Sequence, residues 1–483
     1  MPRIIVIGAG ITGLSAAHRL MELSAEHGLP LEVTVLEGKV RPGGVISTRD
    51  MDEFLAEEGP DSFLRSKPEA LGLSIRAGLE PRIIGMSAEA GKIFVVRGGG
   101  LVPLPDGLFP APARMAALFN SPLLSMRGKL RMSLEAVIPR RSSHGDESAA
   151  SFIRRRFGGE AYERIAQPLL SGIYAGDPET LSVRAALPGL VKMEEEYGSV
   201  VRGMRKNGAA REARKDGKEG NGGRFASFDR GLGTLVNALV SRLPEGSVRL
   251  RSRVKRIDPA GEGFLVHLSG GNPIECDAVI AALPASQASL ITGSLDLELS
   301  LSLSQIKYVS TIVINLAYRR SDVAHALDGS GFVAPSSEGI PLLACTFSSV
   351  KFPGRGPEGT VLLRVIMGDS QNPVIGCDDD QSLISSAQGV LSSLLGIKSP
   401  PIFSIVSRNP ESTPHYAIGH EALVERIMER ARRYPGLRLA GNAYGGVGIP
   451  DCVRSGEEAA LELFTYVAKR EAQDEGHKSR RRA

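Results

Sequence analysis

Apolar positions along the chain change their spacing several times, and each change marks an element. Ile4 to Ile7 form a short apolar run, followed by "GAGITG" and a stretch with helical spacing. "LEVTVLE" then predicts a second strand ending in Glu37. From about 103 to 205 apolar residues recur at threes and fours, as in "SAASFIRRRFGGEAYERIAQPLLSGIYAG". Residues 202–224 are basic, Gly-rich and almost free of large apolar side chains, which predicts a mobile surface loop. "FASFDRGLGTLVNAL" restores the helical period, and "RLRSRVKRID", "GFLVHL" and "ECDAVIAALPA" read as short strands. Strand runs such as "STIVINLAY" and "TVLLRVIM" alternate with Gly/Pro turns over 300–405. The last part, "LRLAGNAYGGVGIPDCVRSGEEAALELF", is a strand, a glycine loop and a helix, and "HKSRRRA" predicts a disordered tail.

At 483 residues the chain is too long for one simple core, so two or three domains are expected. A net charge of +4 without an aromatic-studded basic stripe argues against a nucleic-acid partner. Cys276, Cys345, Cys377 and Cys452 have no short spacing, so neither a disulfide framework nor a zinc motif is expected. That fits a reducing, cytoplasmic setting. Strand-like sequence by Arg3 leaves no room for a signal peptide. No apolar run of about 18 residues exists, so no spanning helix is expected, while peripheral attachment to a membrane face stays open.

The chemistry is concentrated in glycines. Gly8-Ala9-Gly10-Ile11-Thr12-Gly13 lies between a predicted strand and a predicted helix. There Gly8 permits a tight turn, Gly10 a close approach to pyrophosphate, and Gly13 tight strand–helix packing. Glu37 stands near the spacing expected of a carboxylate that grips ribose hydroxyls, and its charge disfavours a 2′-phosphate. Directly after it, Arg41-x-Gly43-Gly44 resembles the second glycine motif of the FAD-dependent amine oxidase superfamily, with Arg41 a source of positive charge near the pyrophosphate. Together these favour FAD over NAD.

Further segments carry a more specific likeness: "EEGPDSF" near residue 60, "SGIYAGDPETLSVRAALPGLVKMEEE" from Ser171, "GFVAPSSE" at 331–338 and "GNAYGGVGIPDC" at 441–452. With these the chain resembles the FAD-dependent porphyrinogen oxidases of haem biosynthesis over about residues 3 to 465. The resemblance implies an α/β fold with a discontinuous Rossmann-like FAD domain (1–90, 225–298 and 406–470). It adds a substrate domain with a mixed or antiparallel sheet (91–102 and 299–405), a helical domain that can touch a membrane (103–205), a loop (206–224) and a disordered tail (471–483). It places FAD on Gly8 to Gly13, Glu37, Arg41, Gly43, Gly44, Val45, Gly59, Pro60, Asp61, Ser62, Val254, Val447, Gly448 and Ile449. Substrate would meet Gly172, Tyr174, Gly331, Val333 and Ile366. Lys92 stands where many relatives have an arginine that pairs with a propionate; it keeps the charge but loses the planar two-point grip.

The implied reaction removes six electrons from protoporphyrinogen IX in three rounds, with dioxygen as acceptor; coproporphyrinogen III is the alternative substrate. A porphyrinogen is activated for hydride loss, so no catalytic side chain or metal is required. His415, Tyr416 and His420 are candidate proton carriers or, more simply, hydrogen-bonding residues. The resemblance leaves room for a homodimer and for hand-over of product to a chelatase. A different flavin amine oxidase, or a non-enzymatic flavin- or porphyrin-binding protein, remains the competing reading.

Overall fold

The computed structural model of the chain describes residues 1–105, 119–141, 145–212, 223–368 and 379–482. Its first sheet is five-stranded and parallel, in the order Val248–Arg249, Glu32–Leu36, Arg3–Ile7, Ala278–Ala281, Leu437–Leu439. Ile4 to Ile7 are buried on both faces, which is why this strand reads as a continuous apolar run rather than an alternation. Ile4 and Val6 pack against the helices Ile11–His27 and Ile449–Arg482. Ile5 and Ile7 pack against a three-stranded antiparallel layer through Ile257, Phe264 and Val266.

The second sheet has seven strands, in the order 403–415, 307–319, 360–367, 344–347, 331–333, 93–97, 100–104. All its pairings are antiparallel except that of Gly331–Val333 with Ile93–Arg97. One face (Ile312, Ile314, Leu316, Leu363, Val365) is covered by the helix Asp380–Leu395. The other carries Asn315, Arg364 and Ile366 towards the nucleotide domain and the helical domain. Side chains alternate along a strand, so this split follows from the backbone alone.

The helical domain is tied by a buried ion-pair network centred on Arg156. Arg156 and Glu135 are both fully buried. Arg156 donates to Glu135 and to the carbonyls of Ile138 and Gly198; Glu135 also accepts from the Ser199 hydroxyl at 2.6 Å and the Val200 N–H at 2.9 Å. This network holds the helices around Gln167–Tyr174, the helix that reaches the site.

Four boundaries differ from the sequence expectation. Strand Phe403–His415 pairs along its length with Lys307–Arg319, so the substrate sheet runs past 405 to His415. Gly100–Leu104 is the edge strand of that sheet, so the helical domain starts beyond it. Residues 206–212, expected in a loop, continue the helix Val200–Glu212: the run "RKNGAARE" keeps enough helix formers to extend it. The tail is not disordered to its end either. Helix Ile449–Arg482 continues through it, rich in Glu, Lys, Gln and Arg, and Arg470 anchors it to Glu262 and Asp277. The rest of the expected basic loop (213–222) and Cys377 lie outside the described residues.

Candidate functional site

The glycine loop and Glu37 form one unit. The Glu37 carboxylate is buried and accepts the Ala9 N–H on one oxygen and the Lys39 N–H on the other, both at 2.8 Å. Each oxygen keeps a lone pair, enough for ribose hydroxyls. A Cβ on Gly13 would stand 1.9 Å from the Gly8 carbonyl oxygen, so only glycine allows this approach; a Cβ on Gly10 would meet nothing within 4 Å. Gly44 packs on the same backbone: its own Cβ would lie 3.4 Å from the Gly10 Cα. Arg41 is exposed and donates to the carbonyls of Pro42, Gly44 and Ile46, all at 3.1 Å. Its immediate work is therefore to pin the Gly43–Gly44 turn, and Gly43 in turn donates to the Ala9 carbonyl at 2.7 Å.

The first two turns of one helix cross the start of another here. Ile449–Arg482 begins next to Val447 and Gly448, and a Cβ on its Gly456 would stand 2.3 Å from the Thr12 carbonyl oxygen near the start of Ile11–His27. Both helices thus bring unpaired N–H groups and a partial positive charge to one region. The bend before the last helix is held by Tyr416, whose hydroxyl accepts the Gly446 N–H at 3.0 Å and donates to the Asn442 carbonyl. Buried Asp451, in the first turn, accepts Lys67 at 2.7 Å and Arg454 at 2.9 Å. Val254 heads a strand close by: Ser252 donates to the Glu37 carbonyl at 2.8 Å.

The Gly59–Ser62 turn is gripped from both domains. A Cβ on Gly59 would stand 1.9 Å from the Val45 carbonyl oxygen, which ties this turn to Val45. Asp61 is paired with Lys351 at 2.9 Å, and Ser62 takes a further bond from Lys351 at 3.0 Å. Lys351 and Arg364 hold the Asp61 carboxyl below the usual range against the upward push of burial.

On the substrate side, Gly172, Val333 and Ile366 come together. Gly172 sits in the helix Gln167–Tyr174, and a Cβ there would lie 3.8 Å from Val333 Cγ1; Ile366 packs against the same apolar group. Gly331 works inside the sheet, while Tyr174 both packs and lines a groove. A Cβ on Gly331 (φ +143°) would strike the Cys345 carbonyl oxygen at 2.0 Å, so its role lies inside the sheet. Tyr174 is buried, donates to the Ala186 carbonyl at 2.8 Å and tilts against Tyr416 with centroids 6.2 Å apart. The same helix also walls a groove of about 1180 Å³ that reaches Tyr416, Val447 and Gly448.

Lys92 is not brought to this cluster. It precedes Ile93–Arg97 in extended backbone, in step with Phe94 and Val96, which face the other core; Val95 faces the helical domain. Strand alternation therefore turns Lys92 away, and it pairs with Asp328 at 2.6 Å on the surface. The histidines are engaged structurally. His415 Nε2 meets the Thr180 hydroxyl at 2.9 Å, and the His420 ring stacks on Tyr416 at 4.2 Å with Nε2 at 3.0 Å from the Ala443 carbonyl oxygen. Burial lowers the His420 pKa to about 4.

Sequence reasoning missed Lys351, Arg364, Asn315 and the Lys67–Asp451–Arg454 group. One signal was present: Arg364 is a lone cation inside the apolar run "TVLLRVIM", and buried cations of that kind need partners. Asn315 in "STIVINLAY" is its polar counterpart.

Known proteins are similar to this chain in fold and sequence. A family model described as flavin containing amine oxidoreductase matches residues 11–463. The coproporphyrinogen III oxidase of Bacillus subtilis (strain 168) is 32% identical over 474 residues, covering 96% of this chain and 98% of that protein. The chloroplastic protoporphyrinogen oxidase of Oryza sativa subsp. japonica is 31% identical over 488 residues, covering 96% and 88%. A crystal structure of a candidate protoporphyrinogen oxidase from Exiguobacterium sp. 255-15 superposes with a TM-score of 0.83 at 28% identity, covering 96% of this chain and 99% of that one. Matched along nearly its whole length, the chain belongs to the flavin-containing amine oxidoreductases, among the porphyrinogen oxidases, and is a flavin-dependent oxidoreductase.

Proposed function

We propose that the chain binds FAD and oxidises a porphyrinogen to the porphyrin, removing six electrons in three rounds with dioxygen as the final acceptor. The observation that carries this reading is the joint cradle of Gly8–Gly13, Glu37 and the start of helix Ile449–Arg482, in a chain that also brings Gly172, Val333 and Ile366 into one apolar cluster. FAD supplies the redox chemistry, taking up two electrons at a time as hydride. The chain's own residues bind and orient. Gly10 and Gly44 leave room for the pyrophosphate, Glu37 accepts from ribose, and the two helix N-termini favour negative charge. Gly172 lets helix backbone come close to a flat macrocycle, while Val333 and Ile366 exclude water beside it.

Protoporphyrinogen IX is the first reading and coproporphyrinogen III the second, favoured by the name of the Bacillus relative. The groove does not separate them by charge: Lys67, Arg184, Arg432 and Arg454 are matched there by Asp146, Glu421, Glu425 and Asp451. The test is anaerobic mixing of the flavin-loaded protein with each porphyrinogen. Bleaching of the flavin by either supports oxidation, and the faster one names the substrate; bleaching by neither refutes the function.

The same reading includes peripheral contact with a membrane. Met126, Leu130, Leu134 and Val137 are each more than half exposed and follow one another at helical spacing, a stripe fit for the acyl boundary. Among the described residues no helix is long and apolar enough to cross a membrane. Replacing Met126 and Leu130 with serine should release the protein from anionic vesicles in sedimentation.

A further inference from the structure

Buried positive charge exceeds buried negative charge under the Gly59–Ser62 turn. Lys351, Arg355 and Arg364 are 8%, 2% and 6% exposed. Lys351 is paired with Asp61, and Arg355 donates to the Ser227 hydroxyl at 2.8 Å and the Phe228 carbonyl at 3.0 Å. Arg364 reaches the Gly59 carbonyl with one nitrogen and lies 3.9 Å from Asp61 with another. Its Nε is buried without a partner. Directly opposite on the neighbouring strand, fully buried Asn315 donates to the Glu57 carbonyl at 3.0 Å, and its Oδ1 has no partner either.

The acids do not balance this set. Asp61 is shared between Lys351 and Arg364. Glu57, which accepts from Thr48 at 2.7 Å and Leu232 at 2.8 Å, is pushed up to about 7 by burial and is only partly ionised at neutral pH. Asp229 is half-exposed and held by Arg82, and Glu58 is held by Arg49. An arginine cannot shed its proton, so Arg355 and Arg364 stay charged. A buried cation with an unused donor calls for an anion or a strong acceptor.

We propose that Arg364 is the cation that stabilises the negative charge gained by the bound flavin on reduction, with Asn315, opposite it on the neighbouring strand, holding the Glu57 backbone in register. The inference rests on the reading that Gly59–Ser62 faces FAD. Hydride uptake from the substrate carbon brings two electrons and one proton to a neutral ring, so the ring becomes an anion. A fixed positive charge nearby favours that state over the oxidised one.

The test is the two-electron midpoint potential of the flavin in the full-length, FAD-loaded protein, together with FAD affinity from flavin fluorescence. The potential reports the ratio of affinities for reduced and oxidised flavin, so a loosening that weakens both alike does not move it. Arg364→Met should lower that ratio about tenfold, equal to a downward shift of about 30 mV. Arg364→Lys should stay within about threefold of the native protein. Asn315→Asp, which sets a carboxylate beside Arg364, should shift the potential the same way as Arg364→Met and decides the matter if that variant loses FAD. An unmoved potential in Arg364→Met, or in Asn315→Asp where that variant must stand in, overturns the proposal. Failure of the native protein to oxidise any porphyrinogen leaves these potentials measurable; failure to hold any flavin refutes the function itself and this inference with it.

Discussion

Gly172→Ala separates the two things this glycine can be doing. Its backbone is helical, so alanine should stabilise the protein by about 0.5–1 kcal/mol through reduced chain entropy. The new Cβ would lie 3.8 Å from Val333 Cγ1, an ordinary contact, so no packing penalty offsets that gain. The methyl does, however, project from the backbone that is proposed to lie against the macrocycle. Overpacking of that size costs about 1–3 kcal/mol when it is felt, which is about tenfold or more in binding. The expected result is a higher urea midpoint with a KM for porphyrinogen raised about tenfold. Paired unfolding curves and steady-state kinetics on the same preparations measure both. A lowered midpoint would mean that the helix and Val333 are closer than described. An unchanged KM would refute the placement of substrate over Gly172.

Three other outcomes follow from geometry already given. Glu37→Gln loses the charge on two bonds to backbone N–H groups, each worth about 1.5–3 kcal/mol, so FAD affinity by fluorescence titration should fall at least tenfold; an unchanged affinity would detach Glu37 from the cofactor. Arg156→Met leaves Glu135 buried without its partner, and the urea midpoint should drop by an amount equal to about 3–5 kcal/mol, recovered in large part by adding Glu135→Leu. Glu57 has a folded pKa raised from 4.5 to about 7. The folded state therefore binds the proton more tightly, and this group's contribution to stability falls as pH rises from 4.5 to 7, by about 3 kcal/mol in all. Glu57→Gln should flatten the stability profile in that window, measured by urea unfolding at successive pH values.

The glycine loop and Glu37 were legible because their chemistry is local: a strand, a turn and a helix lie within thirty-odd residues, and each glycine answers a near neighbour. The Gly172–Val333–Ile366 cluster came instead from likeness to a family, since nothing in "SGIYAGD" alone says which strand it faces. Lys92 shows the limit of that transfer. A position can match while strand alternation, set by Phe94 and Val96, points the side chain elsewhere. Asn315, Lys351 and Arg364 stayed hidden for a different reason. Their partners are the backbone and side chains of residues 57–62, some three hundred positions away, and only tertiary packing brings them together. The helix through 471–482 was missed because a polar run can be helical without an apolar face.

The order of strands in the parallel sheet has a consequence for how the protein is made. Its central strand, Arg3–Ile7, is translated first of the five, but its neighbour Ala278–Ala281 leaves the ribosome only after the helical domain, and the edge Leu437–Leu439 only after the whole substrate sheet. Until then the apolar face of Ile4 to Ile7 has Glu32–Leu36 on one side and nothing on the other. The helix from Ile449, which completes the cradle, comes later still. Flavin capture is therefore a closing event for a nearly finished chain, and a nascent protein arrested before Leu437 should remain colourless.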